Sequence, residues 1–335
     1  MRLVAGPWQR PVAGNCRRRK LSARVSARMA GRSILYVSEL LQKQKKHAKT
    51  FAALQEAVLS AGGQLLTLAP TKDVWARDFM PIAAAVESEG GTGQLVQFQY
   101  APDMLRKHAY LRTDAKAVGG ALAAQGLYPA TVCDVTLDGG HVVRLDAHFA
   151  VSDDVLRQRG NAGRSEEELG AVISESLGLP ILWLPAMPED ETGHLDGALA
   201  ALGGGRVAVN AFEIEASEEE DAVLGAWGVE LRERLTAAGY TCEDVPAYLL
   251  SVEDDPKLDG IASAEGLYLN FVRCGTATLV PQFQEDQDFD RRVLERLGAL
   301  LPGCQMIGVP TYGLEHHGGI LHCVTWEHPS HPSLL

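Results

Sequence analysis

Five times along this chain a helix-forming stretch stops at a glycine and a short apolar strand follows. The stops fall near Gly62, Gly126, Gly178, Gly239 and Gly303, at intervals of 52 to 64 residues. The strands after them cover residues 64–68, 131–137, 181–184, 241–245 and 305–309, and an earlier one opens at Ser33-Ile34-Leu35-Tyr36-Val37. Glycine ends a helix because it takes the left-handed conformation at little cost. Apolar spacing supports the helices: Ala52, Leu54, Val58 and Leu59 in the first, and Val223, Leu224, Trp227, Leu231 and Leu235 in the fourth. Glu166-Glu167-Glu168 and Glu218-Glu219-Glu220 place acids in first turns, where the helix dipole favours them. Such a period suggests repeated supersecondary units around an axis, although any α/β protein alternates helix, glycine and strand.

A polar residue follows each stop at a similar distance: Asp78, Asp138, His194, Asp254 and Cys323 come twelve to twenty residues after their glycines. Units arranged around an axis would bring these residues together at one end of it.

Composition narrows the classes of function. The chain is 46% hydrophobic and 22% charged, an ordinary globular balance. No apolar run is long enough to span a bilayer or to resemble a signal peptide, so no membrane partner is expected. Cys16, Cys133, Cys242, Cys274, Cys304 and Cys323 are scattered without CxxC spacing, which suits a reducing, cytoplasmic compartment. Residues 1–38 hold nine basic residues and no acid, so with a total of −12 the remainder carries −21. An acidic body argues against a nucleic-acid partner and suits a cationic ligand. The expected layout is a basic, disordered extension over residues 1–32 and a single domain over 33–335. The head also fits an organellar transit peptide, or translated sequence upstream of a start at Met29.

Four motifs carry candidate chemistry. Gly318-Gly319-Ile320-Leu321-His322-Cys323 reads as a glycine pair before a short apolar strand that delivers Cys323 to a cleft. Positive charge from His322, His316 and His317 would hold that cysteine as thiolate. Three histidines and a cysteine so close also raise a metal, but their spacing fits no familiar zinc signature. Gly193-His194-Leu195-Asp196-Gly197 offers an imidazole that relays protons and a carboxylate on the same face if extended. Trp75-Ala76-Arg77-Asp78 places a carboxylate among apolar residues, where Arg77 pairs with it or a ligand cation does. Asp138-Gly139-Gly140-His141 reads as a tight turn between strands. Singly, each has a plain structural explanation. Together they name a chemistry, because attack on a planar, permanently charged guanidinium needs paired carboxylates, a soft nucleophile and a proton donor.

These motifs, in this order and with Tyr268-Leu269-Asn270-Phe271, resemble the agmatine deiminase and bacterial peptidylarginine deiminase family of the guanidino-group-modifying superfamily. The resemblance runs from Ser33 to Trp326. It implies an α/β fold, a five-bladed ββαβ propeller (pentein) with pseudo-fivefold symmetry. It also implies that Cys323 attacks the guanidinium carbon, His194 moves protons, and Asp138 orients the histidine or binds substrate. Asp78 and Asp196 would clamp the guanidinium, with Trp75 and Asn270 beside it. The expected reaction yields a ureido product and ammonia through a covalent thiouronium, with no metal or organic cofactor. A small cationic guanidine such as agmatine is the expected partner; the oligomeric state stays open, a homodimer being the commonest assembly of soluble enzymes.

The chain departs from the family at three places. His141 stands where many relatives carry Asn, and Phe79-Met80-Pro81 replaces the Thr-Gly-Pro of agmatine deiminases. Residues 98–103 lack the arginines that hold a peptide's terminal carboxylate in the secreted peptidylarginine enzyme. Arginine or peptidylarginine deimination and amidino transfer stay open as alternatives, as does a non-catalytic binding protein on the same fold. A Cys-His-Asp amidase is a further alternative, but it has no use for two carboxylates aimed at a cation.

Overall fold

The computed structural model describes residues 33–85, 94–123, 130–213, 218–249, 262–283 and 286–327. The basic head, Gly126 and Asp254 lie outside them. Among these described residues, fifteen strands form five three-stranded sheets. The strands are β1 Ile34–Ser38, β2 Gln64–Leu68, β3 Ile82–Ala83, β4 Leu95–Gln99, β5 Ala130–Thr136, β6 Val142–Arg144, β7 Phe149–Ser152 and β8 Ile181–Leu184. They continue as β9 Leu199–Gly203, β10 Arg206–Phe212, β11 Thr241–Ala247, β12 Val272–Cys274, β13 Ala277–Gln282, β14 Gln305–Pro310 and β15 Thr325–Glu327.

Every sheet has one plan. An antiparallel strand leads into a central strand, which pairs in parallel with a third. The same holds for β9-β10-β11 and β12-β13-β14. A parallel pair needs a long crossover, and a helix supplies it each time. These helices are Ala48–Ser60, Ala115–Ala123, Glu166–Leu177, Glu218–Ala237 and Gln287–Leu300. The expected ββαβ repeat is therefore present five times, with one rearrangement. The lead strand of the first sheet is β15, from the far end of the chain. It pairs with β1 through Leu35 to Glu327, Tyr36 to Trp326 and Val37 to Thr325. Trp326 also donates its indole N–H to the carbonyl of Pro81 at 2.8 Å.

Central strands are buried along most of their length and third strands are half-exposed at an edge. Continuous apolar runs such as Ile34-Leu35-Tyr36-Val37 are what burial on both faces requires. The helix stops occur as expected, with positive φ at Gly62, Gly178, Gly239 and Gly303. Ser165 and Glu168 close a capping box at the start of Glu166–Leu177, satisfying backbone N–H groups the helix leaves free. Two helical stripes are corrected. Leu59 and Val223 are 62% and 49% exposed. The buried face of the first helix is Phe51, Leu54, Ala57 and Val58, a truer 3.6-residue period. Among the described residues no helix is long and apolar enough to cross a membrane.

His47, in the turn before Ala48–Ser60, is buried and meets the His317 ring edge-on at 5.6 Å. Burial, then the charges of Lys46 and His317, lower its pKa to about 4. The unfolded chain, with an ordinary value of about 6.5, takes up this proton first. Stability from this residue is therefore full above about pH 6.5 and is lost as pH falls toward 4. The expected result is that His47→Gln loses about 2 kcal/mol less stability than wild type between pH 7 and pH 5. Urea denaturation at the two pH values measures it.

Candidate active site

Cys323 lies in a short helical turn, Leu321–Val324, and not on a strand as its apolar flank suggested. The turn is fixed by Asn270. Its Oδ1 accepts the backbone N–H of His322 at 2.9 Å and of Cys323 at 3.3 Å. With Oδ1 committed as acceptor, Nδ2 is oriented to donate to Cys323 Sγ at 3.2 Å and to the Asp196 carbonyl at 3.3 Å. Asn270 thus places the thiol and links it to the loop carrying Asp196. Gly319 permits this packing, since a Cβ there would overlap the Trp75 ring and crowd the Cys323 Cβ. Trp75 therefore forms a wall beside the Cys323 thiol.

Asp196 sits across from the thiol, its carboxylate oxygens 3.8 and 3.9 Å from Sγ. Oδ2 receives Nδ1–H of His322 at 2.6 Å. Burial opposes charge on Asp196, but the His322 hydrogen bond and the charges of His194 and Arg77 outweigh it and hold its pKa low. His322 is shifted the other way, downward, by burial and then Arg77. The pair is best written as a neutral imidazole donating to an ionised carboxylate. This overturns the expectation that histidines near Cys323 supply positive charge to it. His322 serves Asp196, His317 faces Lys46 and His47, and His316 lies 3.9 Å from Glu315.

The second imidazole comes from the opposite side. His194 stands in a loop after β8, between Asp78 (Nδ1 to Oδ1, 3.9 Å) and Asp138 (Nε2 to Oδ2, 3.7 Å). Burial works against its charge, but Asp78, Asp138, Cys323 and Asp196 together raise its pKa well above the ordinary value. His194 is accordingly an imidazolium. Asp78, in the short helix Ala76–Phe79, accepts the Gly140 N–H at 3.2 Å. Burial raises its pKa, opposed by His194 and reinforced by Asp138 and Asp196. Arg77 forms no ion pair with Asp78, and its buried Nε lacks a hydrogen-bond partner. The structural pairing of Arg77 with Asp78 is thereby set aside.

The Cys323 thiol feels all of this. Burial and Asp196, then Asp78, push the Cys323 thiol up to about 12, with His194 pulling the other way. In the free protein Cys323 is a thiol. Every candidate site residue from the sequence (Cys323, His194, Asp138, Asp78, Asp196, Asn270 and Trp75) lies in this one region.

Asp73 and Asp154 were not singled out in the sequence, and His141 stood out only as a departure from the family. Asp73 accepts from Trp75 N–H at 3.0 Å and from Thr113 Oγ1 at 2.7 Å, anchoring the wall, and burial raises its pKa to about 6. Its only sequence signal is its place two residues before Trp75. His141 and Asp154 lie behind His194. Asp138, His141 and His194 each offer a ligand atom within 4.8 Å of the others. However, His141 Nδ1 accepts the Asp138 N–H at 3.0 Å, which puts its proton on Nε2. In that state the ring has no lone pair free for an ion.

Gly140 is the tightest point, because a Cβ there would overlap the His194 ring. Displacing the imidazole by an ångström is expected to lower any reaction that depends on it about 100-fold. Gly140→Ala is therefore expected to be inactive yet folded, checked by turnover beside circular dichroism.

Comparison with known proteins bears on the fold and the family. A Selenomonas ruminantium protein named "Putative agmatine deiminase" is 25% identical over 287 residues, covering 78% of this chain and 75% of its own. Among solved structures, the C. jejuni agmatine deiminase with substrate bound aligns with a TM-score of 0.70 at 18% identity, covering 89% of this chain and 93% of that one. Dimethylarginine dimethylaminohydrolase from Pseudomonas aeruginosa aligns with a TM-score of 0.51 at 13% identity, covering 88% and 99%. The fold is the expected five-bladed propeller of ββαβ units. The model of the Porphyromonas-type peptidyl-arginine deiminase family matches residues 23–329, and the chain belongs to that family.

Proposed function

We propose that this protein hydrolyses the guanidinium group of a small cationic substrate, agmatine or a similar guanidine, to a ureido product and ammonia. One observation carries the reading. A buried thiol lies among the buried carboxylates Asp78, Asp138 and Asp196, and burial together with the charge of Asp196 and Asp78 keeps it protonated. A group that disfavours its own reactive form calls for a cation, and a guanidinium supplies one that carboxylates grip by paired hydrogen bonds.

The steps follow from the residues. A guanidinium held by Asp78 and Asp196 brings positive charge to Sγ, and the Cys323 proton leaves to solvent. Sγ bonds to the guanidinium carbon. His194, already an imidazolium, gives its proton to a nitrogen of the tetrahedral adduct, and the C–N bond breaks to release ammonia. This leaves a thiouronium on Cys323 and a neutral His194. The neutral imidazole takes a proton from water as its oxygen bonds to the same carbon. The C–S bond then breaks as the hydroxyl proton of the adduct passes to solvent. The ureido product departs, and the Cys323 thiolate takes a proton back from solvent while His194 is again an imidazolium.

The absence of arginine in residues 98–103 supports a substrate without a peptide carboxylate. The family match supports peptidylarginine as the second substrate to try. The test is ammonia release from agmatine, free arginine and a blocked arginine peptide. Release is expected from agmatine, with Cys323→Ala reducing it by about 10⁶-fold. Asp78→Asn is expected to lower kcat/KM about 100-fold by removing a charged hydrogen bond. No release from any of the three by folded protein would sink the proposal.

The pH profile should be a bell. Asp78 acts as an anion, and burial raises its pKa, so activity falls as pH drops through that raised value. His194 acts as an acid, and its raised pKa carries activity to alkaline pH before it falls. Iodoacetamide should label Cys323 far more slowly at pH 8 than an ordinary surface thiol, because a thiol at about 12 holds little thiolate.

A further inference from the structure

We propose that His141 and Asp154 form a positioning pair behind the reacting groups, holding Asp138 and His194 in register for the deimination proposed above. The inference rests on that reading for its catalytic consequence and on geometry for its substance.

The pair begins with a capping box of uncommon composition. The Asp138 backbone N–H donates to His141 Nδ1 at 3.0 Å, while the Asp138 side chain accepts the backbone N–H of His141. Glu or Gln usually returns this bond, and here an imidazole does so. The bond selects one tautomer. Nδ1 must keep its lone pair, so Nε2 carries the hydrogen. His141 is 1% exposed, and Nε2 faces Asp154 Oδ2 at 3.5 Å with no closer partner.

Asp154 is held from several sides. Gln158 Nε2 donates to its Oδ2 at 2.5 Å, and Arg157 Nε lies 3.4 Å from its Oδ1. It also touches the loop that carries the proton carrier: a Cβ at Gly193 would lie 2.6 Å from Asp154 Cβ and 2.7 Å from its Cγ. Gly193 has φ of 62°, so the loop turns against Asp154 immediately before His194.

His141 completes the link through its ring. Its centroid is 4.7 Å from that of His194, with the planes at 79°. This edge-to-face contact restrains the rotation of His194 about its side chain. One imidazole therefore fixes the Asp138 backbone by a hydrogen bond and the His194 ring by packing, and Asp154 steadies both His141 and the His194 loop. Neither residue contacts the thiol or the clamp on substrate, so their action is indirect.

Three substitutions separate this from a structural role. His141→Phe keeps a planar ring and removes both the hydrogen bond from Asp138 N–H and the 3.5 Å contact with Asp154. His141→Gln restores an acceptor for Asp138 N–H and a donor toward Asp154. Asp154→Asn tests the other member. His141→Phe is expected to lower kcat about 30-fold with KM within threefold, and His141→Gln to recover to within fivefold of wild type. The double variant His141→Phe with Asp154→Asn should be no slower than the worse single variant, because the two act as one unit. An unchanged kcat in His141→Phe would overturn the proposal. So would parallel losses of kcat and thermal stability that His141→Gln does not rescue. Nitrogen-15 spectra of histidine-labelled protein provide a readout independent of turnover. They should show a buried, slowly exchanging Nε2–H that vanishes in His141→Phe, together with a displaced His194 resonance. If no guanidine is a substrate but these spectra appear, the functional reading fails and the positioning pair stands. If turnover is normal and His194 does not move, the pair fails and the functional reading stands.

Discussion

An imidazolium held among buried carboxylates is the contact on which the rest of this site turns. His194 lies within 3.9 Å of Asp78 and 3.7 Å of Asp138, in a region from which water is largely excluded. A charge so placed is tolerated only with close opposite charge. The carboxylates in turn depend on the imidazolium, since burial pushes Asp78 toward its neutral form and His194 is the main opposing influence. The glycines of the motifs follow from this requirement. Gly140 leaves the space the ring occupies and donates its N–H to Asp78, and its carbonyl accepts the N–H of Leu195 at 2.9 Å. Two loops from different blades are thus joined at the points that carry charge.

The same electrostatics divides the site into two histidine roles. His194 is charged because three acids and the thiol surround it. His322 is neutral because burial and Arg77 disfavour its cation, and it spends its one Nδ1–H on Asp196. That donation keeps Asp196 ionised, facing the sulfur and oriented by a group that carries no charge. The sulfur consequently faces an anion on one side and a cation on the other, with Asn270 Nδ2 directed at it.

How much of this could be read from the chain depends on what each feature rests upon. The repeat was legible because glycine helix stops and buried central strands are local demands of backbone and solvent, visible at Gly178 as at Ile34-Leu35-Tyr36-Val37. The convergence of Asp78, Asp138, His194 and Cys323 followed once the repeat was taken as units around an axis. The helix stripes were partly misread at Leu59 and Val223, because an apolar residue on the outer side of a helix leaves no mark in sequence. The turn at Cys323 looked like a strand because Ile-Leu-x-Cys-Val is apolar, and only the Asn270 side chain, 53 residues away, caps it as a helical turn. The protonation of His322 was not legible at all. It depends on Arg77 and Asp196, neither of which is near it in the chain.

The pairing of β15 with β1 makes closure of the ring and completion of the site a single event. Cys323 is two residues from the start of β15, in the turn that feeds it. Asn270, in the chain before β12, holds the turn from one side, and β15 draws it toward β1 from the other. The thiol is thus suspended between two anchors that lie on different blades. A loosened seam between β15 and β1 would leave Cys323 tethered by Asn270 alone, so the soundness of the closing sheet is felt at the sulfur.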